Sequence, residues 1–209
     1  MLRAMTTQGD ASGATEPVSL RQRKKARTRA ALVAAALELF DRQGYETTTI
    51  DDIAAAADVS PRTFFRYFTS KEEVALGDDL GPAMIGLITA RPADESILES
   101  VRHVAADSLA MTPPGDRDAL LSRLRIVYRT PSLRARRWEF QLEMGRIAGA
   151  ILAGRRGLPA DDLDSRVTAA AAITTVEVAM DHWQQHDGRD DLGELLDAAI
   201  RHLGDAFGG

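Results

Sequence analysis

Apolar residues recur every three or four positions along most of this chain, which is the spacing of one buried face of an α-helix. No run of alternating β-branched residues is long enough to predict a sheet. Proline and glycine interrupt the pattern and indicate helix ends. We therefore predict an all-α fold of about nine helices. From residue 71 onward, the predicted helices are 71–88, 94–111, 116–129, 132–154, 161–186 and 190–206.

Two short helices joined by a tight turn are predicted between residues 47 and 71. Thr49 and Asp52 have the spacing of a capping box at the start of the first helix. Ser60 followed by Pro61 indicates a second start, because serine caps a helix and proline suits its first position. The second helix is predicted over residues 62–67.

The second short helix separates buried from exposed side chains. Phe64 and Phe68 lie four residues apart and are predicted to pack inward. The residues then predicted to face outward, with donors suited to phosphates and base edges, are Arg62, Thr63, Arg66 and Tyr67. A helix, a turn and a second helix with exposed donors is the helix-turn-helix design, so the pattern predicts DNA binding.

A basic segment precedes this motif. Residues 21–29 carry six positive charges and begin a helix predicted to end at Gln43, before Gly44. One interpretation of this segment is a solvated helix start. Because the segment lies beside a predicted helix-turn-helix, contacts with DNA phosphates are the favoured interpretation. Residues 1–20 have no periodicity and are predicted to be a disordered tail, in which Met1 or Met5 is the start. The predicted phosphate contacts of the segment are Arg23, Lys24, Lys25 and Arg27.

The charge is divided unevenly along the chain. The 209 residues have a net charge of −5, but residues 1–75 carry 11 Lys+Arg against 10 Asp+Glu, and residues 76–209 carry 15 against 21. An acidic body with local positive charge at one end suits a protein that touches DNA at that end only. We predict a DNA-binding domain over residues 21–70 and a helical body over residues 71–209.

Several other functions are disfavoured. The chain has no cysteine, which excludes disulfides and thiol catalysis. It contains no membrane-length apolar run, signal peptide, glycine-rich phosphate loop or nucleophile elbow, so we expect a cytoplasmic protein that is not an enzyme and needs no cofactor. His182 and His186 have the spacing of two metal ligands on one helix face, but no glutamate of the metalloprotease type lies between them, and we predict no metal site.

Residues 35–74 read AALELFDRQGYETTTIDDIAAAADVSPRTFFRYFTSKEEV and closely resemble the DNA-binding head of TetR-family transcriptional regulators. The resemblance covers roughly residues 23–76. It includes the Phe40 and Gly44-Tyr45 end of the first helix, the Val-Ser and Thr-Phe pairs, and the Ser-Lys-Glu that follows. The Arg-Thr-Phe-Phe-Arg-Tyr segment also resembles the branch of mycofactocin regulators.

The resemblance implies roles for individual residues. Thr49 matches a position that meets a phosphate at a helix start, and Tyr67 and Lys71 match phosphate contacts. Arg62 is expected to bind a guanine in bidentate fashion. Phe65 stands where the family usually has tyrosine, so contact with a thymine methyl is expected instead. The full set of predicted contacts in this motif is Thr49, Pro61, Arg62, Thr63, Phe65, Arg66, Tyr67 and Lys71.

The resemblance further implies a body that binds an effector. Apolar residues suited to a mostly apolar pocket recur there, with a few polar groups to orient a ligand. For each single residue, ordinary core packing is the alternative. The predicted lining is Leu80, Met84, Leu87, His103, Leu124, Tyr128, Trp138 and Leu142, and weaker polar candidates are Arg125 and Glu143. The arginine runs 134–137 and 155–156 are interpreted as solvated helix ends.

The last two helices are predicted to form a homodimer interface, as the family resemblance implies. Small residues at 169–172 allow close helix approach, and the final helix carries a regular apolar stripe. The alternative is an internal amphipathic helix. The predicted interface residues are Ile173, Val176, Met180, Leu192, Leu196 and Ile200.

Together these patterns predict a homodimeric repressor that leaves a pseudo-palindromic, double-stranded operator when a small hydrophobic effector tilts the helix at residue 71. An acyl chain, an acyl-CoA or an aromatic compound would suit the apolar body. An activator or an effector-independent regulator is the alternative within DNA binding. Outside it, the alternative is a helical ligand-binding or catalytic protein with a silent head.

Overall fold

The computed structural model describes residues 20–77, 80–110 and 114–207. The described chain is helical throughout its regular structure and contains no strand, which confirms the all-α prediction. The predicted tail over residues 1–20 lies outside the described residues except for Leu20. The helices are α1 (Leu20–Gln43), α2 (Ile50–Ala56), α3 (Pro61–Phe64), α4 (Lys71–Leu76), α5 (Leu80–Thr89), α6 (Ile97–Ala110), α7 (Pro114–Arg129), α8 (Pro131–Arg155), α9 (Leu163–Gln185) and α10 (Leu192–Phe207).

Local signals place the short helices of the head. The Thr49 hydroxyl accepts the Asp52 amide hydrogen at 3.1 Å, and the Asp52 carboxylate accepts the Thr49 amide hydrogen at 2.9 Å, which completes the capping box. Ser60 caps α3 in the same way by accepting from the Thr63 amide. Asp58 lies between the two helices with φ 53°, a left-handed conformation that aspartate tolerates better than most residues.

Two predicted helices are shorter than expected. Helix α3 ends at Phe64, and residues 65–67 continue as turns rather than as helix. The predicted helix over residues 71–88 ends at Leu76, because Gly77 caps it in the left-handed conformation with φ 74°. The helical spacing of apolar residues continues across this break, so the periodicity alone did not indicate it.

The apolar core of the head extends into the body. Phe40, Ile53 and Phe64 are fully buried in one cluster. The same cluster includes Val127 at the end of α7 and Leu133 at the start of α8, both fully buried. The corner between α7 and α8 is therefore part of the packing of the head.

Helices α8 and α9 pack closely as an antiparallel pair. A side chain added at Gly149 would meet the Arg166 Cα at 3.0 Å, and one added at Gly145 would meet the Ala170 Cα at 3.4 Å. Because glycine has no Cβ, these two α8 positions leave room for the backbones of the two helices to approach closely.

The final helix lies inside the protomer. Leu192, Leu196 and Ile200 are 1%, 2% and 2% exposed and pack against α6 and α9. The prediction that they form a dimer interface is therefore wrong, and α10 is the internal amphipathic helix of the alternative. Its apolar stripe is occupied by intramolecular contacts.

A polar cluster joins the ends of α5, α6 and α8. The Arg155 guanidinium donates to the Ile88 carbonyl at 2.6 Å and to the Ser100 hydroxyl at 3.0 Å. Glu95 accepts from Arg91 Nε at 2.8 Å, from Ser100 at 2.9 Å and contacts His103 Nδ1 at 2.7 Å. The interpretation of Arg155 as a solvated helix end is wrong, because its side chain satisfies carbonyls at the end of α5.

This cluster predicts an acid-sensitive component of stability. The hydrogen bonds from Arg91 hold the pKa of Glu95 at about 2, below its ordinary value of 4.5. A depressed pKa stabilises the fold above the unfolded-state pKa, and this contribution is lost as the pH falls from 4.5 towards 2. In urea titrations, we expect Glu95→Gln to lose less of its stability over that interval than the parent protein. Equal slopes in both proteins would contradict this role of Glu95.

Candidate nucleic-acid interface and effector cavity

The second helix of the motif presents one face to solvent, as the sequence predicts. Phe64 is fully buried and Phe68 is 2% exposed, so both anchor the segment in the head. Arg62 and Arg66 are exposed, and Phe65 has 57% of its surface exposed despite being apolar. Pro61 is exposed and Thr63 is half-buried beside them. The arrangement offers two guanidinium groups and one aromatic ring to an approaching surface.

The basic start of α1 flanks this face. A groove of about 410 Å³ separates α1 from the end of the recognition segment. The Tyr67 hydroxyl lies 3.5 Å from the Arg66 guanidinium, and that contact lowers the pKa of Tyr67. Predicted contacts Arg23 and Arg27 are exposed but do not line the groove. Its lining is Arg21, Lys24, Lys25, Thr28, Arg66 and Tyr67, of which Thr28 was missed because a lone threonine within a basic helix carries no specific signal.

Thr49 lies at the exposed start of α2. Its hydroxyl donates to Asp52 at 2.7 Å while accepting the Asp52 amide hydrogen. The side chain therefore already acts within the capping box, and its predicted phosphate contact stays a prediction.

Lys71 has an intramolecular role that the sequence did not indicate. Its ammonium donates to the carbonyls of Tyr45 at 2.8 Å and Thr48 at 2.9 Å, and contacts that of Glu46 at 3.3 Å. It also lies 4.4 Å from the centre of the Tyr45 ring. These contacts fasten the start of α4 to the turn between α1 and α2. A phosphate bound by Lys71 would have to share the N–H donors of its ammonium group with these carbonyls.

We expect Lys71→Met to destabilise the protein by about 1–3 kcal/mol, because part-buried carbonyls lose their donor. Chemical denaturation measures this loss. Lys25→Met is the matched control, since Lys25 is exposed on the groove and should affect DNA affinity but not unfolding. Unchanged stability of the Lys71 variant with weaker DNA binding would instead favour its phosphate role.

A second cavity, of about 120 Å³, lies within the body between α4, α5, α7, α8 and α9. Its wall is mainly apolar and includes three methionines. Residues from distant parts of the sequence meet here, so the tertiary packing creates it. The lining is Leu76, Gly77, Met84, Leu120, Arg123, Leu124, Arg137, Phe140, Gln141, Met144, Ile173, Val176, Glu177 and Met180.

A largely buried ion pair, Arg137 with Glu177, forms one polar section of this wall. Arg137 donates from Nε and a terminal nitrogen to the two oxygens of Glu177, at 2.6 and 2.7 Å. The Tyr128 hydroxyl donates to the same carboxylate at 2.5 Å, and burial raises the pKa of that phenol. Burial opposes the charge on Arg137, but the bonds to Glu177 prevail and raise the pKa of the guanidinium. The interpretation of Arg137 as part of a solvated run is therefore wrong.

The structure brings together only part of the predicted pocket. Met84 and Leu124 line the cavity, and Tyr128 reaches its edge through Glu177. Leu87 packs in a separate apolar cluster, and His103 belongs to the Glu95 cluster. The weaker candidates Arg125 and Glu143 instead form exposed pairs with Asp187 and Arg146. The side chain of Leu80 lies outside the described residues.

Two predicted pocket residues lie on the outside. Trp138 and Leu142 are 56% and 61% exposed on α8, so their assignment to the cavity is wrong. They border an open groove with Leu163, Val167 and Thr174 of α9. Conversely, Ile173, Val176 and Met180, predicted at the interface, line the cavity instead. Two residues predicted for the cavity thus lie on the outer face, and three residues predicted for the dimer interface line the cavity.

Neither a metal site nor a membrane span emerges from the described residues. The rings of His182 and His186 stack 4.0 Å apart. No group of three or more histidine, cysteine or acidic side chains is placed to hold a metal within residues 20–77, 80–110 and 114–207. Across the same ranges, no helix has the length and apolar character needed to cross a membrane.

Known proteins resemble both parts of the chain. Residues 32–76 match the model of bacterial regulatory proteins of the tetR family, and residues 95–208 match the MftR C-terminal domain. The HTH-type transcriptional regulator TcmR of Streptomyces glaucescens is 42% identical over 151 residues, which are 68% of this chain and 66% of TcmR. The mycofactocin biosynthesis regulator MftR of Mycobacterium tuberculosis is 27% identical, over 81% of this chain and 85% of MftR.

Solved structures share the fold. Thermus thermophilus FadR, a repressor in complex with lauroyl-CoA, is 29% identical with a TM-score of 0.53, over 84% of this chain and 92% of its own. Bacillus subtilis FadR in complex with stearoyl-CoA has a TM-score of 0.57 at 21% identity, over 83% and 96%, which is a likeness of fold alone. The chain therefore belongs to the TetR family of DNA-binding transcriptional regulators, which are not enzymes, and its body is of the MftR type.

Proposed function

We propose that this protein is a homodimeric repressor that binds a pseudo-palindromic DNA operator in the cytoplasm and leaves it when a small hydrophobic effector enters the cavity of the body. The observation that carries the proposal is the exposed face of Arg62, Phe65 and Arg66 on a head whose apolar core is shared with the body. The face supplies DNA contacts, and the shared core couples their placement to the body.

The two-fold partner is proposed to pack on the outer face of α8 and α9. Leu163, Val167 and Val178 are 69%, 51% and 63% exposed on α9. With Ala170 and Thr174 they recur every three or four residues along most of α9, and Trp138 and Leu142 extend the face onto α8. A long apolar face on two helices suits a four-helix bundle with the same face of a second copy of the chain. The bundle would bury the exposed leucines and the tryptophan.

The dimer sets the distance between the two recognition faces. Two-fold related helix-turn-helix heads read half-sites about 34–36 Å apart, one turn of DNA. A bundle formed by α8 and α9 would fix the two bodies relative to each other, so the placement of each head would depend on contacts within its own protomer.

The corner between α7 and α8 supplies such contacts. Arg129 at the end of α7 donates to the Phe40 carbonyl at 2.8 Å and to the Asp41 carboxylate at 2.9 Å. Ser132 at the start of α8 donates to Glu46 at 2.6 Å. Leu133, next to Ser132, is buried in the apolar core of the head. The corner and α4 together would therefore transmit a change in the body to the head.

The cavity lies close to both routes. Leu76 and Gly77 at the end of α4 line it, and Arg137 lies four residues after Leu133 on α8. An effector shifts the protein towards an operator-incompetent state only if it binds that state more tightly. The cavity would provide this difference in affinity if its volume differs between the two states. Such a difference would follow from a movement of α4 or of the corner between α7 and α8.

Selection of bound duplexes from random DNA, at two salt concentrations, tests the proposal. A pseudo-palindromic motif whose affinity falls steeply with salt would support a dimeric operator-binding protein. Arg62→Ala should relax base preference at one position of each half-site, at a cost of about 1–3 kcal/mol. Failure of the purified dimer to enrich any motif would contradict the proposal.

A further inference from the structure

We infer that the cavity of the body takes a neutral apolar effector carrying a hydroxyl or similar hydrogen-bond donor, and that this donor binds the side-chain oxygen of Gln141. The inference rests on the proposed function for its regulatory meaning. The binding chemistry itself follows from the lining of the cavity.

Gln141 provides the specific polar contact. Its side-chain oxygen is buried and has no hydrogen-bond partner among the described residues. The residue lines the cavity on one side and the outer groove between α8 and α9 on the other. A buried acceptor without a donor is costly, and nearly all buried polar atoms in folded proteins are paired. Most neighbouring lining residues are apolar and have no donor to offer. A ligand that brings a donor therefore gains a hydrogen bond that the protein does not make for itself.

The charges around the cavity disfavour an anionic ligand. Both oxygens of Glu177 bind Arg137, and Tyr128 adds a third hydrogen bond to the same carboxylate. A carboxylate or phosphate would have to compete with Glu177 for Arg137 and would lie close to its negative charge. Arg123, the other basic residue of the lining, is also engaged within the protein.

The size of the cavity limits the core of the ligand to about one ring. Its volume of about 120 Å³ is close to that of an apolar cavity, roughly 150 Å³, that accepts benzene in another protein. Met84, Met144 and Met180 form part of the wall, and the flexible thioether chain of methionine adapts to ligands of different shape. Larger members of the same chemical class can therefore be admitted by rotation of these side chains.

Three one-ring probes separate the possibilities: phenol has the donor, toluene replaces it with a methyl group, and benzoate carries a negative charge. We expect ligand-observed NMR on the full-length protein to give a dissociation constant for phenol about tenfold below that for toluene, with benzoate weakest. Gln141→Leu should remove the preference for phenol while retaining toluene. Gln185→Leu is the matched control, because Gln185 is exposed on α9 and pairs with Asp181.

Each other outcome overturns the inference. Equal binding of phenol and toluene would mean that Gln141 makes no specific contact, and tightest binding of benzoate would mean that the cavity is a site for anions. Absence of binding by all three, in protein whose thermal unfolding is cooperative, would mean that the cavity does not admit this class. Operator binding by the same ligand-free preparation tests the proposed function separately, so failure of one does not imply failure of the other.

Discussion

Replacing Leu142 with glutamate is expected to separate the proposed dimer into monomers and to weaken operator binding roughly 100- to 10,000-fold. Leu142 is 61% exposed in the protomer, so the charge should leave the fold intact. In the proposed bundle of α8 and α9, however, the carboxylate would be buried against its two-fold mate without a partner. Loss of the dimer removes the second recognition face and with it the gain from binding two half-sites at once.

Sedimentation equilibrium and operator titration, carried out on the same sample, measure the two effects. Leu158→Glu is the control, since Leu158 is also exposed but lies in the turn after α8, away from the groove between α8 and α9. A dimeric Leu142→Glu protein with full operator affinity would contradict the proposed interface. A monomer with full affinity would instead contradict the requirement for two heads.

Replacing Glu177 with alanine is expected to lower the free energy of unfolding by about 3–5 kcal/mol. The side chains of Glu177 and Arg137 are each only 17% exposed and form a bidentate pair. Without the carboxylate, the Arg137 guanidinium would remain largely buried beside an apolar cavity, and the Tyr128 hydroxyl would keep only its 3.4 Å contact with the Glu177 backbone carbonyl. Urea denaturation measures the loss.

Two further variants separate this effect from simple loss of an ion pair. Glu38→Ala breaks a solvent-exposed pair with Arg42 on α1 and is expected to change stability little, because solvent screens that pair. The double variant Arg137→Met with Glu177→Leu should recover much of the lost stability, since it leaves no uncompensated charge. If the double variant is as unstable as Glu177→Ala, the loss comes from packing rather than from the buried charge.

The helices of the head could be predicted because local chemistry sets them. The Thr49 capping box and the Ser60-Pro61 start involve residues close together in sequence. The spacing of Phe64 and Phe68 likewise determines which side of the segment is buried. Lys71 is the exception in this region: its partners at Tyr45 and Thr48 lie 26 and 23 residues away, and no local pattern identifies them.

The faces of the body could not be assigned in this way. Helix α9 carries apolar or small residues around much of its circumference, so Ile173 on the cavity and Val178 on the outside look alike in sequence. The stripe on α10 is a true amphipathic pattern, but such a pattern does not say whether the apolar side meets the same chain or another copy. Here it meets α6 and α9.

By itself, the sequence determined that the protein is all-α, that a helix-turn-helix lies near its N-terminus, and that Arg62 and Arg66 of that motif face outward. These features depend on backbone hydrogen bonds, caps and side-chain spacing within a few turns. Only the tertiary structure decided which apolar residues form the cavity, that Arg137 pairs with Glu177, and that the α7–α8 corner enters the core of the head. The reason is physical: burial and ion pairing depend on how whole helices pack, and several packings can satisfy the same helical periodicity.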